Sequence, residues 1–443
     1  MGAYEFSRPR VIYVDDSATG ANDGTSWTDA YLYLQDALAL AQGKDEIRLA
    51  QGTYKPADQN GSREASFQLA NGVKIQGGYA GFAAADPDRR EPAQFVSTLD
   101  GNGAYHVVVA SGTDRTAILD GVTIRGGDAW HTDQGYLTEG AYGGGVYNKD
   151  GSPTIRNCII MGNRALAFGG GMYSESGDPL IEDCRFLDNS ATDGGGLDVD
   201  YGHADVRMCV FSGNHACSYN ADGGTAGAIY CYKSHCQIDH CVVVGNGVDE
   251  WGRVAGIECN GAEVTASNCI IRDNRNQNTA TWALQVDGTL TIEYSCVEGS
   301  LEGFEGKGNF DGDPLFANSG QWIEYHSQCD TTCTGNEGYL WQHGDYHLKS
   351  QAGRWDASAK AWVQDAVTSP CIDAGDPAGL IMYEPFPNGG VVNMGAYGGT
   401  AEASKSWFGG PVCAAIAAGD INGDCKVDLG DIAILALHWL ETN

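Results

Sequence analysis

Five nonapeptides decide the fold: IRNCIIMGN (155–163), IEDCRFLDN (181–189), VRMCVFSGN (206–214), IDHCVVVGN (238–246) and ASNCIIRDN (266–274). Each places a cysteine five residues before an asparagine, and successive cysteines are 25 to 32 residues apart. A sixth copy, EYSCVEGSL (293–301), keeps the cysteine and lacks the asparagine. Because strand-like segments recur at this interval without helical segments between them, the pattern predicts a solenoid of stacked coils.

The two fixed residues of the repeat have different predicted roles. The cysteines Cys158, Cys184, Cys209, Cys241 and Cys269 are expected to stack in the interior as small apolar side chains, rather than to bind metal. The asparagines are expected at turns that need a left-handed residue, where identical side chains on successive coils share hydrogen bonds.

Each unit also carries a strand that begins with glycine or another small residue: GGGVYNK (143–149), GGGMYSE (169–175), GGGLDVD (194–200), GAIYCYK (227–233) and AGIECNG (255–261). These strands and the Cys-x-x-x-x-Asn turns resemble the right-handed parallel β-helix superfamily. The tract 310–399, with FDGDPLF, SPCIDAGDP and NMGAYGG, is similar to the closing, anchor-type region of large secreted β-helix proteins. The resemblance implies an all-β, right-handed parallel β-helix over 10–405, with the clearest repeats at 140–300 and a closing region at 310–400.

The first residues suggest modularity. MGAYEFSRPR (1–10) echoes NMGAYGGTAE (393–402), so residues 1–9 are interpreted as the remnant of a preceding domain or linker. SWTD (26–29) is a capping-box-like start to an apolar stretch that stops at Gly43, which predicts a helix covering the N-terminal end of the stack.

Composition excludes several classes of function. The formal net charge is −32, with 26 Lys and Arg against 58 Asp and Glu. Nucleic-acid binding needs a basic surface, so it is not expected. The same charge disfavours polyanionic glycans and favours neutral ligands. No apolar run is long enough to span a membrane.

Cysteine usage points to the setting of the protein. The pairs Cys329–Cys333 and Cys413–Cys425 are candidate disulfides, which would imply an oxidising, extracellular compartment. We therefore expect a monomeric protein that is secreted or at the cell surface, with flanking domains of a larger protein as partners.

Alternation along the glycine-led strands separates their two faces. Val146, Met172, Leu197, Ile229, Ile257 and Leu284 are predicted to point inward. Two columns are predicted to point outward: Tyr147, Tyr173, Asp198, Tyr230, Glu258 and Gln285, and then Lys149, Glu175, Asp200, Tyr232, Asn260 and Asp287. Tyrosine rings suit the apolar faces of sugars, whereas carboxylates and amides suit hydroxyl groups. Strand propensity alone is the competing explanation for outward tyrosines.

Aromatic residues in the loops that enter these strands support a groove. Trp130 lies in a long insertion before the first glycine-led strand, and Tyr219 and Trp251 precede later strands. The predicted carbohydrate-binding set is Tyr147, Lys149, Tyr173, Glu175, Asp198, Asp200, Tyr230, Tyr232, Glu258, Asn260, Trp130 and Trp251.

The sequence leaves three classes of function open. The preferred one is a noncatalytic carbohydrate-binding module that holds a neutral polysaccharide, of xylan or β-glucan type. The second is an enzyme, either an inverting glycoside hydrolase using Asp198, Asp200 or Glu258, or a Ca²⁺-dependent polysaccharide lyase. The third is a surface adhesin or spacer.

A calcium-loop motif lies in the C-terminal segment 406–443, in GDINGDCKVDLGD (419–431). Asp420, Asn422, Asp424, Lys426, Asp428 and Asp431 occupy positions 1, 3, 5, 7, 9 and 12. This resembles one dockerin repeat and implies Ca²⁺ as a cofactor. Cys425 replaces the glycine of position 6, and a second repeat is absent, which puts binding of a cohesin partner in doubt.

Overall fold

The structure is a computed structural model. It describes residues 9–57, 61–133, 136–217, 224–249, 252–276, 281–299, 306–326, 337–409, 419, 427–429 and 431–433. Within these ranges the chain forms a right-handed parallel β-helix whose coils repeat four short strands in a fixed order. We name the resulting surfaces face A, face B, face C and edge D, in the order in which the chain visits them.

Face A and face B share one parallel sheet. The strands of face A are Phe67–Gln68, Val108–Val109, Val146–Lys149, Met172–Glu175, Leu197–Asp200 and Ile229–Tyr232. The strands of face B are Val11–Val14, Glu46–Ala50, Lys74–Tyr79, Ile118–Asp120, Thr154–Arg156, Leu180–Glu182, His203–Arg207 and His235–Asp239. Two longer strands, Val254–Ser267 and Leu284–Glu293, run through both faces.

Face C and edge D complete each coil. The strands of face C are Gly52–Tyr54, Ser97–Asp100, Thr123–Arg125, Ile159–Met161, Arg185–Leu187, Val210–Ser212, Val242–Val244, Ile270–Arg272 and Cys296–Val297. Edge D consists of Asp128–Ala129, Arg164–Ala165, Ser190–Ala191, His215–Ala216, Gly247–Val248 and Arg275–Asn276, followed by the antiparallel Thr281–Trp282. A small hairpin (Thr132–Asp133 with Tyr136–Leu137) and a 3-10 helix (Glu139–Ala141) lie between edge D and face A.

The predicted cysteine column lies in the core. Its five members are buried and carry free thiols. Burial raises the pKa of Cys158 and Cys209 well above the ordinary thiol value. The column is therefore apolar packing material between coils.

The predicted asparagine ladder also forms. Asn163, Asn189, Asn214 and Asn246 each donate from Nδ2 to Oδ1 of the next asparagine, at 2.9–3.0 Å. The conformational role expected of these residues was wrong. The left-handed residue is the one before each asparagine, namely Gly162, Asp188, Gly213, Gly245 and Asp273. The asparagines are instead fully buried and satisfy the turn with their side chains.

The last coil departs from the predicted register. Val286 and Asp287 pair with Ile257 and Glu258, so Leu284 is exposed instead of pointing inward. Gln285 is buried rather than outward. Its Oε1 accepts from Nδ2 of Asn274 at 2.7 Å, because the longer amide reaches the end of the asparagine ladder.

The N-terminal helix is shorter than predicted. It spans Leu34–Leu40, and Leu34 and Ala37 pack into the core beside Ile12. Ser26 and Asp29 do hydrogen-bond, with the backbone N–H of Asp29 donating to Ser26 Oγ at 3.1 Å. This turn precedes the helix, and the helix itself starts at Tyr33 without a side-chain cap.

The closing region folds onto the outside of the solenoid. It contains three antiparallel strand pairs: Phe316–Asn318 with Asp345–Leu348, Gln321–His326 with Glu337–Gln342, and Arg354–Asp356 with Ala361–Val363. Phe316, Trp341 and Tyr346 bury the outward valines Val242 and Val244 of face C. The later coils of face C are thereby covered.

Candidate functional site on face A

The two predicted columns of face A are in register. Tyr147, Tyr173, Asp198, Tyr230 and Glu258 pair successively along the first column. Lys149, Glu175, Asp200, Tyr232 and Asn260 pair along the second. Parallel pairing places each residue about 4.8 Å from the next along the solenoid axis.

The first two tyrosines are not an open platform for sugars, which corrects the prediction. Tyr147 and Tyr173 are only 6% and 5% exposed. Tyr142 stacks on Tyr173 with ring centroids 5.2 Å apart, and His106 stacks on Tyr147 at 4.7 Å. The residues that enter the face A strands therefore lie on these rings. Tyr230 and Tyr232, farther along, remain half-buried.

A pair of aspartates occupies the middle of the face. Asp198 is fully buried, and no described group donates a hydrogen bond to either of its carboxyl oxygens. Burial, and then the charges of Asp200 and Asp193, raise its pKa well above the ordinary value. Burial therefore favours the neutral form of Asp198, and the neighbouring Asp200 accepts a hydrogen bond from the Tyr173 hydroxyl at 3.1 Å.

Two further carboxyl groups border this pair. Burial, reinforced by Asp287 and Asp193, raises the pKa of Glu258 to about 7. Burial raises the pKa of Asp193 to about 6, with Asp200 adding to the shift. Thr225 connects the two groups, since its backbone N–H donates to Asp193 at 3.1 Å and its hydroxyl donates to Glu258.

Asp193 is not among the residues predicted from the sequence, because the predicted columns contain strand residues and the predicted loop residues are all aromatic. It stands in the loop just before Gly194, and single β-bridges align it with Tyr142, Phe168 and Thr225 of neighbouring coils. The position before each glycine-led strand is thus a third column beside face A. Aligning that position across the repeats would have brought Asp193 to notice.

The remaining predicted residues lie around the carboxyl cluster, which comprises Asp193, Asp198, Asp200 and Glu258. The Asn260 amide donates to the Tyr230 hydroxyl at 3.2 Å. Lys149 forms an ion pair with Glu175 at 3.2 Å. Trp130 lies apart, at edge D beneath the Arg164 guanidinium.

Two predicted aromatic residues, Trp251 and Tyr219, lie outside the described residues. The candidate disulfides Cys329–Cys333 and Cys413–Cys425 do as well.

A groove of about 500 Å³ continues the face toward the N-terminus, past His106, Glu139 and Tyr147. Lys149 and Arg253 beside this face form ion pairs with Glu175 and Asp287, and Lys233 Nζ lies over the ring of Tyr232 at 4.8 Å. Face A therefore presents an acidic surface with a buried acid pair at its centre.

The calcium motif is only partly visible. Asp420, Asn422, Asp424 and Lys426 lie outside the described residues, whereas the backbone N–H of Asp428 donates to Asp431 at 2.8 Å. Among the residues that the structure describes, no three His, Cys, Asp or Glu side chains are grouped to hold a metal ion. None of the described helices is long and apolar enough to cross a membrane.

Two family models match the chain. The one described as "Right handed beta helix region" matches residues 70–252, and the one described as "Disaggregatase related" matches residues 315–375. The solved structure of pectate lyase Pel9A is similar with a TM-score of 0.46 and 13% identity, over 88% of this chain and 96% of that chain. Among curated proteins, none matches this chain.

The first of these matches spans the coils in which the cysteine column and the asparagine ladder begin. Fold and match together define a right-handed parallel β-helix protein. The closing region contains the second match, which lies against face C rather than face A.

Proposed function

We propose that this chain hydrolyses a neutral polysaccharide by acid–base catalysis on face A. The observation that carries the proposal is the carboxyl cluster, in which Glu258, with a pKa raised to about 7, shares one face with Asp200, a carboxyl group that accepts a hydrogen bond from Tyr173. Glycoside hydrolysis needs such a pair, one carboxylic acid to protonate the leaving oxygen and one carboxylate to activate water.

Glu258 suits the role of general acid. Its pKa of about 7 keeps a large fraction protonated at the pH where a carboxyl would ordinarily be ionised. Half-burial leaves it accessible on the face.

Asp200 suits the role of general base. Burial raises its pKa, and the hydrogen bond from the Tyr173 hydroxyl opposes this rise by favouring the charged form. Asp198, being wholly buried, acts through Asp200 as a positioning residue.

The spacing of the two groups favours inversion. Asp200 pairs with Tyr232, which pairs with the Asn260 of the Glu258 strand, so the two carboxyl residues are two coils apart. Two coils are about 9.6 Å along the axis, and the two-residue offset between the columns adds about 6.7 Å across it, so the two backbones are about 12 Å apart. This separation is too long for the roughly 5 Å between the carboxyl groups of retaining glycosidases, and it leaves room for a water molecule between two side chains that reach toward each other, as inversion requires.

The charge of face A supports a neutral substrate. A uronate chain would meet several carboxylates, while Lys149 and Arg253 are held in ion pairs and Lys233 lies over the ring of Tyr232. Elimination from a uronate needs a cation to neutralise the substrate carboxylate. Of the two enzyme classes expected from the sequence, hydrolysis is therefore favoured over Ca²⁺-dependent lyase chemistry.

A noncatalytic carbohydrate-binding module is the second candidate. The half-buried Tyr230 and Tyr232 and the exposed Asn260 favour it, since together they offer aromatic surface and an amide beside the cluster. Binding without cleavage would make the acid pair a structural element of this surface.

The setting of the protein is part of the proposal. Cys217 is disulfide-bonded, which supports a secreted or cell-surface location. Calcium at the dockerin-like segment and flanking domains of a larger protein likewise remain proposals. They rest on the sequence motif at 419–431 and on the echo between residues 1–9 and the closing region.

The test measures new reducing ends and unsaturated products from soluble xylan, mixed-linkage β-glucan and polygalacturonate, with Ca²⁺ present. We expect reducing ends from a neutral glycan, at least a hundredfold fewer with Asp200→Asn or Glu258→Gln, and wild-type yields from Glu293→Gln. Retention on glycan without any product would favour the binding module, and unsaturated products would favour a lyase. If the protein is not retained on any glycan and forms no product, an adhesin or spacer would be the best account.

A further inference from the structure

A second groove lies on face B, which adjoins the face A surface that contains the carboxyl cluster. It has a volume of about 550 Å³ and runs across the strands that contain His203, His235 and Glu263. The closing region buries the later coils of face C, whereas the side chains along this groove are largely exposed. Face B thus offers a concave polar surface that the proposed catalysis does not use.

Stacked imidazoles form one side of the groove. His203 pairs in register with His235, and their rings are 4.7 Å apart and nearly parallel. A carboxylate contacts each ring at its edge, Asp178 with His203 at 3.1 Å and Glu263 with His235 at 3.3 Å. The two side chains are 66% and 54% exposed. Each ring covers one face of the other, so the stack offers its outer faces and its polar edges, which suit the apolar side and the hydroxyl groups of a sugar ring.

Polar side chains, namely one carboxylate followed by amide and hydroxyl groups, form the floor. Asp205, Gln237, Thr265 and Thr291 pair successively in one column, with Thr289 beside them. Successive members are about 4.8 Å apart, so they present a regular row of hydrogen-bond donors and acceptors. Such a row is matched by a linear molecule that carries hydroxyl groups at short, regular intervals.

The charges of the groove are mixed, in contrast to face A. Arg115 and the two imidazoles lie among Asp205 and Glu263. A groove of this kind attracts neither polyanions nor polycations strongly. A neutral, hydroxyl-rich chain is the ligand that its lining fits.

We propose that the face B groove is a second polysaccharide-binding surface, which holds a neutral glycan chain while face A acts on it. The inference rests on the proposed function for the class of ligand, but its place and residues are independent of the carboxyl cluster. Holding an insoluble polymer on an adjacent face raises the local concentration of cleavable chain without any new contact at the reacting bond.

The test compares the full chain with a His203→Ala/His235→Ala variant in two assays. The first measures the fraction of protein retained on insoluble xylan and on cellulose. The second measures new reducing ends from soluble xylan and from mixed-linkage β-glucan. We expect at least tenfold weaker retention on the insoluble glycan and unchanged cleavage of the soluble one. Tyr33→Ala, which removes an aromatic ring that is 61% exposed at the N-terminal helix, is the control and should retain wild-type binding. Gln237→Ala/Thr265→Val removes the floor and should weaken retention in the same way.

The outcomes separate this inference from the proposed function. Cleavage without retention, or retention that survives both double variants, overturns the face B site and leaves catalysis on face A standing. Retention that depends on His203 and His235 without any cleavage supports the face B site and overturns the proposed hydrolase. If His203→Ala/His235→Ala lowers the melting temperature, the decision passes to Gln237→Ala/Thr265→Val, and retention unchanged by that variant overturns the site.

Discussion

Glu258 makes the stability of the protein depend on pH in a direction that is unusual for a carboxyl group. Its pKa rises from 4.5 to about 7 on folding. The folded chain therefore binds a proton that the unfolded chain releases between these values. The stabilising contribution is complete below about pH 4.5 and is lost as the pH rises through about 7.

The Glu258→Gln variant should remove this contribution. We expect the free energy of unfolding to fall less steeply between pH 5 and pH 8 than in the wild type, because an amide does not titrate. Urea unfolding at pH 5, 6, 7 and 8 measures the slope, with the exposed Glu263→Gln as the matched control. Equal slopes for the wild type and Glu258→Gln would show that Glu258 is not protonated near neutral pH.

At the scale of the strand and turn, local pattern predicted most of the architecture. Alternation placed Asp198 and Glu258 in one column, and the fixed Cys–Asn spacing located the interior column and the ladder. Those features follow from side-chain periodicity, which the sequence displays directly.

The errors have a different origin. The burial of Tyr147 and Tyr173 depends on how loops fold over a face, and the exposure of Leu284 depends on a register set by Gln285 reaching the ladder. Asp193 escaped notice because its proximity to Glu258 arises through Thr225 of another coil. The column that contains Asp193 is periodic, but the packing of side chains between coils is not displayed by the sequence.

The asparagine ladder gives a test of the coil as a unit. Asn214 Nδ2 donates to Phe186 O at 2.8 Å and to Asn246 Oδ1 at 2.9 Å, and its Oδ1 accepts from Asn189 at 3.0 Å. Replacing Asn214 with alanine leaves buried partners unsatisfied on both neighbouring coils. We expect a loss of about 2–4 kcal/mol in the free energy of unfolding, measured by denaturant titration.

The control for this variant is Asn260→Ala, which removes one exposed hydrogen bond and should cost less than about 1 kcal/mol. Similar losses for Asn214→Ala and Asn260→Ala would mean that the ladder does not hold successive coils together.

For the whole molecule, the closing region decides which surfaces remain for ligands. It packs on Val210, Val242, Val244 and Ile270, which would otherwise form an apolar stripe along face C. Face A, with its buried acids, and face B, with its mixed polar groove, are then adjacent sides of one rod. This arrangement allows one glycan chain to be held on face B and cleaved on the adjacent face A.

The attachment of the closing region to the solenoid is centred on Tyr346. Its hydroxyl shares a hydrogen bond with Ser212 of face C at 2.8 Å and accepts from Trp341 at 3.0 Å. If this contact couples the closing region to the solenoid, the losses in free energy of unfolding caused by Ser212→Ala and Tyr346→Phe should not add. We expect a coupling energy of about 0.5–1.5 kcal/mol, measured by denaturant unfolding of both single variants and the double variant. The pair Ser267→Ala and Tyr346→Phe is the control. Its two losses in free energy of unfolding should add, because Ser267 donates its hydrogen bond to Asp239. Additivity of Ser212→Ala with Tyr346→Phe, in a single cooperative transition, would mean that burial of the face C valines alone attaches the closing region.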